Sequence, residues 1–137
     1  MARVDSRYLR ILDANFNRGR EGLRVCEDVC RFLLSEGPAT RQYKKLRHEL
    51  SAALQELGNQ GIIGARDIEG DVGRKSTRSE FQRRSVKDIF YANSQRAKES
   101  IRVLEEFTKL VNPKVAERLK KLRYAIYRLE RQVVVRF

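Results

Sequence analysis

One stretch of this chain occurs twice, and no other feature restricts its fold as much. Residues 14–28 read Ala-Asn-Phe-Asn-Arg-Gly-Arg-Glu-Gly-Leu-Arg-Val-Cys-Glu-Asp, and residues 92–106 read Ala-Asn-Ser-Gln-Arg-Ala-Lys-Glu-Ser-Ile-Arg-Val-Leu-Glu-Glu. Identities fall at Ala14/Ala92, Asn15/Asn93, Arg18/Arg96, Glu21/Glu99, Arg24/Arg102, Val25/Val103 and Glu27/Glu105. Further on, Tyr43-Lys-Lys-Leu-Arg-His48 is echoed by Leu119-Lys-Lys-Leu-Arg-Tyr124 at nearly the same offset, so the duplicated unit is a helical hairpin. One hairpin cannot bury its apolar face alone. Two should pack as an all-α, antiparallel four-helix bundle with an approximate internal two-fold. At 137 residues and 41% hydrophobic composition the chain fits a single domain with an ordinary core.

The hydrophobic period marks the elements. Leu12, Phe16, Leu23, Cys26, Cys30 and Leu34 predict a first helix from about Asp5 to Glu36, ended by Gly37-Pro38. Tyr43, Leu46, Leu50, Ala53, Leu54 and Leu57 form the inner side of a second helix from Ala39, closed by Gly58. Residues 58–76 hold five of the eight glycines and no sustained period, which predicts a long loop of the kind that is usually functional or disordered. Thr77 and Glu80 have capping-box spacing and reopen the helix, with a break near Arg84. A third helix carries Val86, Ile89, Phe90, Ala97, Ile101, Leu104, Phe107 and Leu110, and Asn112-Pro113 caps and opens the fourth. The expected layout is a first hairpin over 5–57, a loop over 58–76, a second hairpin over 77–132 and a tail over 133–137. That tail, Val133-Val-Val-Arg-Phe137, is apolar and β-prone, suited to cover a core edge or to contact another subunit in a homodimer.

Thirty Lys+Arg against 18 Asp+Glu leave a net charge of +12, which points to an anionic partner: nucleic acid, an acidic lipid surface or a phosphorylated small molecule. No apolar run reaches membrane-span length and no secretory signal pattern opens the chain, so a cytoplasmic protein is expected. Cys26 and Cys30 have a single histidine, His48, for company, too few ligands for a zinc site, and read as two core residues on one helix. His48 meets Tyr124 at the equivalent position of the second copy, which argues against a duplicated catalytic role.

A helical wheel of the first copy places Asn17, Arg20, Arg24, Glu27 and Arg31 on a solvated side. Asn15 and Arg18 fall instead among Phe16, Leu23, Cys26 and Val29, beside Gly22, and should be wholly or partly buried. Asn93 and Arg96 take the same places in the second copy, next to Ser100, with Glu21 and Glu99 at the flanks. A buried arginine needs a carboxylate, carbonyls or an anionic ligand. Either the Asn, Arg and Glu residues satisfy their counterparts across the two-fold, or Arg18 and Arg96 present guanidinium forks to phosphate, with room left by Gly22 and Ser100. The loop adds Ala65-Arg-Asp-Ile-Glu-Gly-Asp-Val-Gly73, in which Asp67 and Asp71 could hold Mg²⁺ and glycine amides could approach phosphate, although Asp and Gly are also ordinary turn residues. Arg47 and Arg123 sit at matching repeat positions and either close a site or line the surface.

These residues resemble a family, the small helical hydroxymethylpyrimidine-phosphate kinases of thiamine synthesis, which occur alone or fused ahead of thiamine-phosphate synthase. The resemblance rests on Arg10-Ile-Leu-Asp-Ala-Asn15, Arg18 through Glu27, Leu46-Arg-His-Glu-Leu50, Ala65-Arg-Asp67 with Gly70-Asp-Val-Gly73, Ala92-Asn93 with Arg96, Arg102-Val-Leu-Glu-Glu106 and Leu122-Arg-Tyr124. It implies transfer of the ATP γ-phosphate to 4-amino-5-hydroxymethyl-2-methylpyrimidine phosphate, giving the diphosphate.

The chemistry fits what the chain lacks: it has no P-loop, no kinase glycine loop and no credible histidine base. A phosphate acceptor with a second ionisation near about pH 6 is already nucleophilic at neutral pH. Positioning and cations around the transferring group then carry catalysis. Residue chemistry assigns Arg18 and Arg96 to phosphate, Arg66 to the loop side of the phosphates, and Asp67 with Asp71 to Mg²⁺ or to orienting arginine. Asn15 and Asn93 would bind the aminopyrimidine or hold the arginines, and Glu21, Glu99, Gly73, Arg47 and Arg123 complete the candidate ligand-binding set. The alternatives are a basic helical nucleic-acid-binding module and a purely structural helical dimer joined through Val133 to Phe137.

Overall fold

The computed structural model describes residues 4–58, 61–77 and 82–137. Among these, four long α-helices form the predicted bundle: α1 (Ser6–Asp28), α2 (Gly37–Glu56), α3 (Val86–Thr108) and α4 (Pro113–Val134). The α1 and α3 helices, which carry the repeat, form the central crossing; α2 packs on α1, α4 packs on α3, and α2 meets α4 to close the ring.

The crossing is antiparallel and obeys the two-fold. Moving up α1, Gly19 lies against Ser100 and Ile101, Gly22 against Asn93 and Ala97, and the Cys26 thiol approaches the Phe90 carbonyl at 3.7 Å. Gly19 against Ser100 and Gly22 against Ala97 are one contact seen from its two ends, since Ala97 and Ser100 stand at the repeat positions of Gly19 and Gly22. A Cβ on Gly22 would lie 2.7 Å from the Asn93 carbonyl oxygen. The small residues are therefore spent on close helix approach, and Gly22 and Ser100 leave no room for phosphate, contrary to expectation.

Around this crossing Leu12, Phe16, Leu23, Leu50, Ile101, Leu104, Leu119 and Ile126 are fully buried. Each contributes about 1.5–3 kcal/mol by leaving water. Tyr43 and Phe90 meet edge-on with ring centres 6.3 Å apart.

Several boundaries differ from expectation for local reasons. Asp5 caps α1 by accepting from the Arg7 amide at 2.8 Å. The helix then widens into one π turn over Val29–Leu33, and the left-handed residue that ends it is Ser35, at φ 52°. Gly37 and Pro38 instead open α2, where proline's missing amide costs nothing. Gly58 ends α2 as predicted, at φ 75°. Residues 82–84 are not helical; α3 begins at Val86, capped by Ser85, whose hydroxyl accepts from the Asp88 amide while Asp88 accepts from the Arg84 amide. The proposed Thr77–Glu80 box lies largely outside the described residues. Helix α3 also stops before Leu110, which is exposed. Asn112 caps α4 by accepting from the Lys114 amide, as predicted.

The tail is not β. Val133 and Val134 complete α4, the Phe137 ring lies 5.4 Å from that of Phe90, and Arg136 pairs with Glu36 at 3.0 Å, so the chain end covers a core edge where α1 turns into α2. No described helix is long and apolar enough to cross a membrane.

Candidate functional site

The long loop is organised by its own aspartates. Asp67 accepts from the Gly70 amide at 2.8 Å and Asp71 from the Gly73 amide at 2.9 Å, making two successive turns. At Gly70 the Asp67 carboxylate folds back over the space a Cβ would occupy. A short 3₁₀ turn over Ile63–Ala65, with buried Ile62 just before it, seats the loop on the bundle.

The clamp that fixes the loop to α1 is a pair that the sequence reading missed. Arg66 donates two parallel hydrogen bonds to Asp13, Nε to Oδ2 and Nη2 to Oδ1, both 2.7 Å. Asp13 is 7% exposed, and its carboxylate holds the Arg66 guanidinium above the ordinary arginine range. The signal was available: Asp13 lies one residue outside the repeat, on the inner side of a helix, where the second copy has Tyr91. An unduplicated buried acid demands a cation, and Arg10 Nη2 reinforces the seat by donating to the Asp67 carbonyl at 3.4 Å.

Loop and α1 thereby enclose an open cleft of about 500 Å³. Asn15, Arg18, Glu21, Arg66, Asp67 and Asp71 line it, and Arg96 reaches it from α3. Arg18 and Arg96 are exposed rather than buried, while Asn15 is buried and Asn93 half-buried. The wheel placed the Cα positions correctly, but arginine's long stem carries its head out to the cleft. Arg18 makes one long bond, 3.5 Å, to the Asn15 side chain, and Arg96 makes no hydrogen bond or ion pair among the described residues. Arg7, also on the cleft, is held by Asp5 at 2.6 Å.

The two asparagines do not join across the two-fold. Asn15 donates to the Ile11 carbonyl at 2.9 Å and Asn93 to the Ile89 carbonyl at 2.8 Å, each within its own helix. The polar links that the two halves do share are Glu27 with Arg47, at 3.2 Å, and Glu105 with Arg123, at 3.2 Å through Nη2 with a second, shorter bond through Nε. Both glutamates are 3% exposed. Glu27 is thus not on a solvated side, because α2 covers it, and Arg47 and Arg123 neither close the cleft nor line the surface. Hydrogen bonding to Glu105 raises the pKa of Arg123 further. Glu99 accepts from Gln95 on the exposed side of α3, and Asn93, Glu99 and Gly73 lie away from the cleft lining. His48 is exposed. Both cysteines are in the core: burial pushes the Cys30 thiol up to about 11 and Cys26 higher still.

For a metal, no cluster of three or more His, Cys, Asp or Glu side chains exists among the described residues. Asp67 and Asp71 each commit one oxygen to a turn and keep the other, the donor set that suits Mg²⁺ arriving with phosphate and water ligands, not a closed protein cage.

Fold and cleft define an internally duplicated all-α bundle with an arginine-lined cleft built from the first copy of the repeat, one loop and a single arginine of the second copy. The ThiD2 family model matches residues 10–132, and the chain belongs to that family. It is 43% identical over 122 residues to the thiamine-phosphate synthase of Nostoc punctiforme, covering 88% of this chain and 34% of that protein. The thiamine-phosphate synthase of Synechocystis sp. is also 43% identical over 122 residues, with 88% and 34% covered, and that of Rhodopirellula baltica is 37% identical over 135 residues, with 97% and 36% covered. The chain therefore spans about a third of the length of these curated relatives. No solved structure matches it.

Proposed function

We propose that this protein is a phosphotransferase of thiamine biosynthesis that moves the ATP γ-phosphate onto 4-amino-5-hydroxymethyl-2-methylpyrimidine phosphate. One observation carries the reading: Arg18 and Arg96, equivalent residues of the two repeats, line the same cleft and neither is in an ion pair among the described residues. The names of the relatives supply the biosynthetic context, and a cleft of about 500 Å³ has the size of a small-ligand site.

The acceptor phosphate is largely dianionic at neutral pH and attacks without a general base, so the chain has to bring two polyanions together. Arg18 and Arg96 neutralise and orient them from opposite helices, with forks that match phosphate oxygens. Arg66, fixed by Asp13, presents its remaining N–H groups from the loop. Asp67 and Asp71 each keep one carboxylate oxygen outside the loop turns, available to Mg²⁺ or to a cleft arginine. Asp67 and Asp71 are the residues that would hold Mg²⁺ bound with ATP, which would neutralise part of the phosphate charge there.

The test is to incubate the protein with Mg-ATP and the pyrimidine monophosphate and follow the diphosphate and ADP by mass spectrometry. Product is expected; none at high enzyme concentration refutes the reading. The unphosphorylated alcohol should be a much poorer acceptor, because its hydroxyl has to lose a proton and lacks the phosphate charge that Arg18 and Arg96 would bind.

A further inference from the structure

A second cavity, of about 430 Å³, lies beside the cleft, and Asp13 and Arg66 line both. Its walls have a different chemistry. Phe16 from α1, Leu54 from α2, and Ile62 and Ile63 from the loop make it largely apolar, with Arg20 and Gln55 as its other polar side chains. Gly58, Gly61 and Gly64 also bound it, and a Cβ on any of them would meet no atom within 4 Å, so this wall is open space.

The second half of the molecule shows what happens when the same place is filled. Leu54 corresponds to Glu130 and Arg20 to Lys98. There Lys98 and Glu130 pair at 2.8 Å, 10% and 14% exposed, and Lys98 Nζ lies 4.6 Å from the centre of the Tyr127 ring. In the first half leucine offers no carboxylate, Arg20 turns to Asn17 at 3.0 Å, and the cavity stays open.

We infer that this cavity holds the planar aminopyrimidine ring of the acceptor, whose phosphate passes the Asp13–Arg66 pair into the arginine cleft; this rests on the transferase reading above. The argument is one of reach. The acceptor's phosphate hangs from its ring by one CH₂–O arm, whereas adenine is separated from the γ-phosphate by a ribose and two phosphates. A ring pocket divided from the phosphate cleft by a single residue pair suits the short arm. Phe16 and the isoleucines supply apolar contact for the ring, and Asp13 lies within the lining where it can accept from the exocyclic amine.

The experiment is calorimetric titration of the full chain with the pyrimidine monophosphate and, separately, with Mg-ATP, in the natural sequence and in two variants. Leu54→Glu gives Arg20 the partner that Lys98 already has and should plug the cavity. Ile63→Glu adds charge at a side chain that is 73% exposed, so the fold is kept even if Leu54→Glu fails to fold. Binding of the monophosphate should weaken at least about tenfold in both, with Mg-ATP changed by less than about threefold. Absent monophosphate binding in the natural sequence, weakened Mg-ATP binding instead, or no change in Ile63→Glu each overturns the assignment. Because binding is read apart from turnover, ring-dependent binding without any diphosphate product would overturn the transferase reading alone.

Discussion

The two halves of this bundle share their architecture and divide their chemistry. Both place an asparagine on its own i−4 carbonyl, both bury a glutamate against an arginine of the neighbouring helix, and both meet the other half through small residues at one crossing. Only the first half has Asp13, the loop clamped to it by Arg66, and an open cavity where the second half has the Lys98–Glu130 pair. Most of what was duplicated therefore holds the fold, and the candidate site gathers where the copies diverge. Arg18 and Arg96 are the exception, being duplicated and also directed at the cleft.

The shared pairs give the largest expected effect. Glu105→Ala leaves Arg123, 12% exposed, without a counter-charge and should cost about 3–5 kcal/mol in denaturant unfolding. Glu27→Ala should cost less, because the side chain of Arg47 is 21% exposed and water can rescue it. Equal and small losses at both sites would remove these pairs from the architecture. Next come the duplicated arginines: Arg18→Ala and Arg96→Ala should each lower kcat/KM by roughly 100-fold or more, the scale of losing one donor to developing charge, with unfolding midpoints nearly unchanged since both are exposed. Loss in one variant only would show that the halves do not contribute alike even here.

How much of this was legible follows the same division. Helix number, order and antiparallel packing came from the period and the repeat, because amphipathic pattern is a property of the chain itself. The cleft was legible in part: Arg18, Arg66, Asp67, Asp71 and Arg96 were singled out and the structure brings them together. Arg47 and Arg123 were singled out too, yet their partners Glu27 and Glu105 were assigned to solvent or to no role, because a single-helix wheel cannot know which side a neighbouring helix will cover. Asp13 was missed although its place on the inner side of α1 called for a cation; what no local pattern encodes is that the cation is Arg66, far along the chain. The Ser85–Asp88 cap was not singled out, although it stands just before the apolar run that begins at Val86.

A smaller effect tests the crossing itself. Gly22→Ala would set a methyl 2.7 Å from the Asn93 carbonyl oxygen and should destabilise by about 1–3 kcal/mol, despite the roughly 1 kcal/mol that alanine gains over glycine in a helix. Ser100→Ala, at the equivalent position, removes a hydroxyl that bonds only its own helix at 3.0 Å and should stay within about 1 kcal/mol. A stabilising Gly22→Ala would mean that the crossing tolerates a wider spacing.

The smallest effect concerns Cys26 and Cys30, which the second half replaces with Leu104 and Thr108. The thiolate is the reactive form, and burial raises both thiols, Cys30 to about 11, so in a mildly alkaline buffer each stays protonated as well as covered. The native protein should therefore show almost no reaction with a disulfide reagent, and both thiols should react once denaturant is added. Any slow native labelling should appear at Cys30 first, because it sits in the π turn at the end of α1, where local opening needs fewer contacts broken than at Cys26 under the α1–α3 crossing. Labelling of Cys26 first, read by peptide mass spectrometry, would place the weakest point of the first half at the crossing and not in the π turn.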